Sequence, residues 1–262
     1  MLPITGRGKD RPQREGVLSQ PFLRLLGVRI DCVRLHDLME YAVASVQSGG
    51  KKTILYVNVH CMNVRNRDPA YAEILERADL VYCDGTGVRL GAHLVGLHIP
   101  ERMTGADLID PLCAQAVRHG LTLFLLGGAP GSARAAAQLL RSRHRGLQIV
   151  GTSHGYDVGP EITAAINQAR PDILLVGMGT PKQEKWIDRH RSELHVPVVW
   201  AVGALFDFVS GRIPRGPGWM THHGLEWLCR LMVEPRKLWR RYLIGNPQFL
   251  WRIMRTYWLQ GS

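Results

Sequence analysis

Asp84 ends the apolar run DLVYCD and is followed at once by Gly85, Thr86 and Gly87. A carboxylate at the end of such a run, beside flexible backbone, is placed to take a proton from a bound group; a plain Asp-Gly turn uses the same residues. Further along, PERMTGAD brings Glu101, Arg102, Thr104 and Asp107 together, and Arg102 offers a permanently charged fork suited to phosphate or carboxylate. Two other segments pair an apolar run with glycines and a helix start. LFLLGGAPGSAR carries Gly127, Gly128 and Gly131, and LLVGMGTPKQEKW carries Gly177 and Gly179 ahead of Thr180 and Pro181, with Lys182, Gln183 and Glu184 in the first turn. Glycine lets backbone approach a phosphate and a helix start supplies free N–H donors, so both read as anion cradles or as ordinary βα turns. Their spacing matches neither G-x-G-x-x-G nor the P-loop. In VGALFDFVSG, Asp207 lies between Phe206 and Phe208, where it suits a ribose diol, a base N–H or a helix cap.

No D-x-D pair, H-E-x-x-H motif or His/Cys cluster with ligand spacing is present, so the sequence predicts no metal and no resident cofactor. The 5 cysteines are scattered without a C-x-x-C pair. That pattern speaks against a disulfide framework or a zinc site and fits a reducing cytoplasm.

These residues need a scaffold, and 262 residues with 45% hydrophobic content can build one large α/β domain with an appendage. KTILYVNV, DLVYCD, LTLFLLGG, LQIVGTS, DILLVGMG and VPVVWAVGA alternate with segments long enough for crossover helices. They predict a Rossmann-like, mostly parallel sheet with helices on both faces over residues 21–218. Ligands collect at the carboxyl ends of such strands, where the residues above fall. Residues 1–20 are polar and aperiodic and read as a disordered leader.

After SGRIPRGPGWM the composition shifts, and residues 219–262 hold seven Lys/Arg, two Glu and five of the 7 tryptophans. This predicts a basic helical appendage. On a wheel of regular α-helix, Arg236, Lys237, Arg240 and Arg241 fall within about 140°, with Leu238, Trp239, Tyr242 and Leu243 on the other side. QFLWRIMRTYWL gathers Phe249, Trp251, Ile253, Met254, Tyr257 and Trp258 away from Arg252 and Arg255. Such a segment rests on an anionic leaflet, or else packs on its own core. The apolar runs fall short of the ~18 residues of a spanning helix and no signal peptide is evident, so membrane contact is expected to be peripheral.

The net charge of +11 favours anionic partners: phosphorylated ligands, acidic lipid or nucleic acid. A basic nucleic-acid-binding protein with a nucleotide-binding α/β domain is the alternative reading. The tryptophans suit an interfacial belt better than a phosphate groove, which argues for no nucleic acid. Without G-x-G-x-x-G, a UDP-sugar epimerase or dehydrogenase is disfavoured.

From about Phe22 to the C-terminus the chain resembles the WecG/TagA/CpsF bacterial glycosyltransferases, through VNVHCMN, ADLVYCDGTGV, PERMTGADL, LFLLGGAPG, GTSHGY, PDILLVGMGTPKQEKWI, GALFDFVSG and GLEWLCRLMVEPRKLWRRYL. The resemblance implies an inverting hexosyltransferase that is independent of metal. Its donor would be a UDP-sugar and its acceptor a polyprenyl-diphosphate-linked glycan of surface polysaccharide or exopolysaccharide synthesis. The enzyme would work at the inner face of the cytoplasmic membrane and tend to self-associate. By position, Asp84 resembles the general base, and Tyr56, Asn58 and Arg102 the donor pocket. The Gly127–Gly128 loop and Gly179 would lie by the diphosphate, and Tyr156, Gln183 and Asp207 would contact the nucleotide sugar. Arg230, Lys237 and Arg240 resemble residues that meet the lipid diphosphate. Where many N-acetylmannosamine transferases have Thr, this chain has Tyr56, and YVNVHC is similar to exopolysaccharide glucosyltransferases of the xanthan type. The implied donors are therefore UDP-glucose, UDP-N-acetylmannosamine or its uronic acid.

Overall fold

A hairpin that the sequence pattern did not announce opens the fold. β1 (Phe22–Leu25) and β2 (Val28–Asp31) pair antiparallel through a turn at Leu26 and Gly27, both with positive φ (49° and 76°). The computed structural model describes residues 21–156, 159–214, 216, 220 and 226–259; the leader at 1–20 lies outside them.

The six apolar runs form the six strands of one parallel sheet, in the order β4-β3-β8-β7-β5-β6. They are β3 (Lys52–Val57), β4 (Leu80–Cys83), β5 (Thr122–Gly127), β6 (Gln148–Ser153), β7 (Ile173–Gly177) and β8 (Val198–Ala201). Every residue of β4, β7 and β8 is buried, as expected for parallel strands covered on both faces. The edge at β4 is capped by the hairpin, where Asp31 Oδ2 accepts from the Val81 N–H at 2.8 Å and Arg29 neutralises Asp31 at 2.6 Å. A buried, paired acid closes an edge that would otherwise offer free backbone to another strand.

Helices cover both faces. On one side lie α1 (Leu35–Gln47), α5 (Gly105–His119), α6 (Ser132–Arg143) and α9 (Leu205–Val209); on the other lie α2 (Val59–Arg65), α3 (Pro69–Arg77) and α8 (Lys182–His190). Also present are α4 (Thr86–Leu94) and α7 (Pro160–Ala169). The chain steps outward from β5 to β6 but in the opposite direction from β7 to β8, so the loops beyond those strands diverge and leave a crevice.

The expected boundary at residue 219 falls among positions outside the described ones. Beyond it come α10 (Glu226–Val233) and then α11 (Pro235–Trp239), a π-helical turn (Arg240–Ile244), α12 (Gly245–Met254) and a second π-helical turn (Arg255–Leu259). Of the two readings of the last segment, packing on the core prevails along one side. Phe249 and Ile253 are buried (1% exposed each), with Phe249 seated on Gly91 of α4. Asn63 donates to the Gly245 carbonyl at 2.8 Å, and the Tyr257 hydroxyl accepts from the Leu26 N–H at 3.0 Å. Arg252, expected to point outward, turns inward to Asn63 and the Met62 carbonyl. Trp251 and Met254 stay exposed, and the side chain of Trp258 lies outside the described part. Among the described residues no helix is long and apolar enough to cross a membrane.

Candidate active site

The carboxyl ends of all six strands open on one cavity of about 550 Å³, roofed by α10, α11 and the first π-helical turn. Asp84 stands on its floor. The Asp84 N–H donates to the Val57 carbonyl at 2.8 Å, and Asp84 bridges to Met103, whose carbonyl accepts from the Gly85 N–H at 2.8 Å. The acid is thereby clamped between β3 and the segment that carries Arg102. Asn58 does two jobs with one amide. Its Oδ1 caps α2 by accepting from the Cys61 N–H at 3.2 Å, and its Nδ2 donates to Asp84 Oδ2 at 3.0 Å. The cap fixes the amide, and the amide fixes the acid. Burial raises the Asp84 pKa; the Asn58 hydrogen bond and the charges of Arg241 and Arg230 offset part of the rise, and Asp107 adds to it. The result is a carboxylate more basic than usual.

Arg102 lies on the cavity wall between Asp107 (3.4 Å) and Glu226 of α10 (3.9 Å). Thr104 and Asp107 form the capping box of α5, so the cluster seen in PERMTGAD is partly structural.

The two glycine loops are tied together. Gly127 has φ 143°, and a Cβ there would lie 2.2 Å from the Gly177 carbonyl oxygen; the Gly128 N–H donates to that same oxygen at 2.7 Å. Gly128 and Gly179 line the cavity, whereas Gly127 sits beneath it. Asp207 is on the wall, but its Oδ1 accepts from Ser132 Oγ at 2.6 Å and the Ala129 N–H at 3.4 Å. It therefore ties α9 to the loop that leads into α6. Tyr156 is exposed at the rim, with Lys182 Nζ 5.4 Å from its ring centre and bonded to the Gly155 carbonyl at 2.6 Å. Tyr56 lines the floor with its hydroxyl turned inward.

Besides Gly127, two expected positions are corrected. Gln183 does not reach the cavity: it is fully buried, donates to the Tyr56 hydroxyl at 3.2 Å and accepts from the Gly203 N–H at 3.0 Å. α8 starts after a cis Thr180–Pro181 bond with Pro181 at its N-cap, and its second residue points into the core. Arg240 is exposed, 5.2 Å over the Trp239 ring, and off the cavity wall. Its place beside Arg230 and Lys237 is taken by Arg241. The wheel assumed regular α-helix, but a π-helical turn spans Arg240–Ile244, and its wider turn changes which side chains share a face.

Arg230 stacks 5.0 Å over Phe208 and lies 3.9 Å from Glu234, which also holds Lys237 at 3.0 Å. The Nε atoms of Arg230 and Arg241 are buried and have no hydrogen-bond partner among the described residues. These cations face inward, unlike the outer stripe that a duplex-binding surface requires. The sequence reading passed over His60 and Trp227, both on the wall. His60 is pushed down to about 4, first by burial and then by Arg241, and is a neutral hydrogen-bonding group near neutral pH. A lone histidine after a strand gives no sequence signal for this. Of the acids on the cavity wall, Asp84 is tied to Asn58, Asp207 to Ser132 and Glu226 to Arg102. The His/carboxylate trio among the described residues, His36, Asp37 and Glu40, lies on α1 outside the cavity, with Asp37 engaged in capping.

This arrangement can hold a diphosphate between glycine loops and arginines and present a basic carboxylate beside it. The profile of the family described as "Glycosyl transferase WecG/TagA/CpsF family" matches residues 23–262. Two relatives are the N-acetylglucosaminyldiphosphoundecaprenol N-acetyl-beta-D-mannosaminyltransferases of Staphylococcus aureus strains NCTC 8325 / PS 47 and COL. Each is 28% identical over 236 residues, which span 88% of this chain and 92% of the relative. Their names are those of mannosaminyl-transferring enzymes and lend no support to the xanthan-type branch.

Proposed function

The chain belongs to the WecG/TagA/CpsF glycosyl transferase family and is a glycosyltransferase; from that premise we propose that it moves a hexose from a UDP-sugar to a polyprenyl-diphosphate-linked glycan with inversion. The observation that carries this reading is the Asn58–Asp84 pair under the inward-facing Arg230 and Arg241, with the exposed Lys237 at the margin of the same cavity. Asp84 is the general base. It takes the proton of the acceptor hydroxyl as that oxygen bonds to the anomeric carbon, and the bond from that carbon to UDP breaks on the opposite face. Two anionic groups need steadying. The leaving diphosphate is assigned to Arg102, the Gly128 and Gly179 loops and the start of α8, and the lipid diphosphate to Arg230, Lys237 and Arg241.

Strand order supports this polarity. Asp84, Asn58 and Tyr56 stand at the β4–β3 side, and Gly128, Tyr156 and Lys182 at the β5–β6–β7 side, so the sugar lies towards the former and uridine towards the latter. No step requires a metal. The enzyme acts peripherally at the cytoplasmic face of the membrane, where Trp239, Leu243 and Ile244 (42%, 58% and 42% exposed) supply an apolar contact. The same surface suits a homo-oligomer that the bilayer displaces.

For the donor, UDP-N-acetylmannosamine follows the names of the relatives. UDP-glucose and UDP-N-acetylmannosaminuronic acid are the alternatives that the product separates. The test is purified enzyme with UDP-N-acetylmannosamine, its uronic acid and UDP-glucose, a short-chain lipid-diphosphate-linked acceptor, and the product mass. Product containing one added hexose is expected; absence of product with every donor, or tight duplex DNA binding at physiological salt, would overturn the proposal.

A further inference from the structure

Beneath the cavity floor lies a polar cluster that the transfer chemistry does not use. Glu184 of α8 has no exposed surface. Tyr56 of β3, Cys61 of α2 and Tyr71 of α3 surround it, together with Thr180 and Gln183 of its own segment, and the groups that act on it include no cation. Its Oε1 accepts from Thr180 Oγ1 at 2.8 Å and from Gln183 Nε2 at 2.9 Å. Its Oε2 and the Tyr71 hydroxyl have no hydrogen-bond partner among the described residues. An ionised carboxylate there would be a buried charge with no cation beside it, so burial raises the pKa of Glu184, offset in part by the Gln183 and Thr180 hydrogen bonds.

Gln183 carries the anchorage further. It donates to the Tyr56 hydroxyl at 3.2 Å and accepts from the Gly203 N–H at 3.0 Å. The buried acid, through Thr180, and the amide it holds, through Tyr56 and Gly203, together tie the carboxyl ends of β3, β7 and β8. Tyr56 and Thr180 line the cavity, and Tyr56 precedes by two positions the Asn58 that orients Asp84, on the same side of an extended chain.

We propose that Glu184 is a positioning residue for the donor: through Thr180, Gln183 and Tyr56 it holds the cavity floor in one shape against the sugar of the nucleotide. The ligand named here rests on the glycosyltransferase reading above. Glu184→Gln keeps a neutral group of the same shape, and Glu184→Leu removes the acceptor and leaves Thr180 and Gln183 unheld. In the wild type, donor KM rises as pH climbs through the raised value at which Glu184 ionises; Glu184→Gln abolishes that rise. Glu184→Leu raises donor KM by about tenfold with acceptor KM unchanged, since a misplaced floor of this kind costs one to two orders of magnitude. Superimposable pH profiles for wild type and Glu184→Gln, with unchanged donor KM in Glu184→Leu, would overturn the proposal. Should Glu184→Leu fail to fold, the Glu184→Gln profile decides alone. If the wild type transfers no hexose, the glycosyltransferase reading fails by itself. The pH dependence of UDP affinity in wild type and Glu184→Gln, measured by calorimetry, then decides the role of Glu184: a difference upholds it and identity refutes it.

Discussion

A carboxylate that serves as a base has to be ionised, and Asp84 is held where ionisation is hard. Burial raises its pKa above the ordinary 3.8, so the proton-accepting form disappears as pH falls through that raised value, earlier than for a free aspartate. kcat/KM is therefore expected to show an acid limb above the usual carboxylate range, measurable in initial rates between pH 4 and 8 at saturating acceptor. The stability effect has the opposite sign. With the folded pKa raised, the contribution of Asp84 to stability is present below 3.8 and lost as pH rises through the folded value. Asp84→Asn should therefore raise Tm at pH 7, with a gain that shrinks towards acid pH. Asp84 was legible in the sequence because an acid at the end of an apolar run is unusual. The burial of Gln183 and Glu184 was not, since polar residues at a helix start ordinarily face water and only the packing of α8 against β7 and β8 turns them inward.

At the level of elements, the cavity depends on how closely the loops after β5 and β7 approach. Gly127 allows this, with φ 143° and no room for a Cβ against the Gly177 carbonyl. Gly127→Ala is expected to destabilise by about 1–3 kcal/mol through combined strain and overpacking, seen as a lower urea midpoint with an unchanged m-value. The six strands could be read directly because central parallel strands are short, continuous apolar runs between crossover helices. The hairpin could not. FLRLLGVRID is brief and turns on Leu26–Gly27 instead of an Asn-Gly or Asp-Gly pair. The appendage wheel kept Arg240 on one face with Lys237 and Arg241 because it assumed a constant 100° step, which the π-helical turn breaks.

At the scale of the whole molecule, the C-terminal helices are both wall and surface. Phe249 and Ile253 belong to the core, so removing residues beyond about 219 uncovers α2 and α4 and destabilises the remainder, and Phe249→Ala alone should cost about 3–5 kcal/mol. Membrane attachment is better tested on the outer side. Replacing Trp239, Leu243 and Ile244 by Ser together is expected to abolish co-sedimentation with anionic vesicles while UDP affinity stays within about twofold, because these side chains face away from the cavity and carry the interfacial contact. Equal pelleting of the triple variant and the wild type would refute that contact.

The central claim, that Asp84 removes the acceptor proton, is tested most directly by comparing Asp84→Asn with wild type in UDP binding and in turnover on a lipid-diphosphate acceptor. The amide keeps the shape and loses the base. UDP affinity is expected to be unchanged and kcat to fall by about 10²–10⁴-fold; turnover within a few-fold of wild type, with UDP bound normally, would contradict the account.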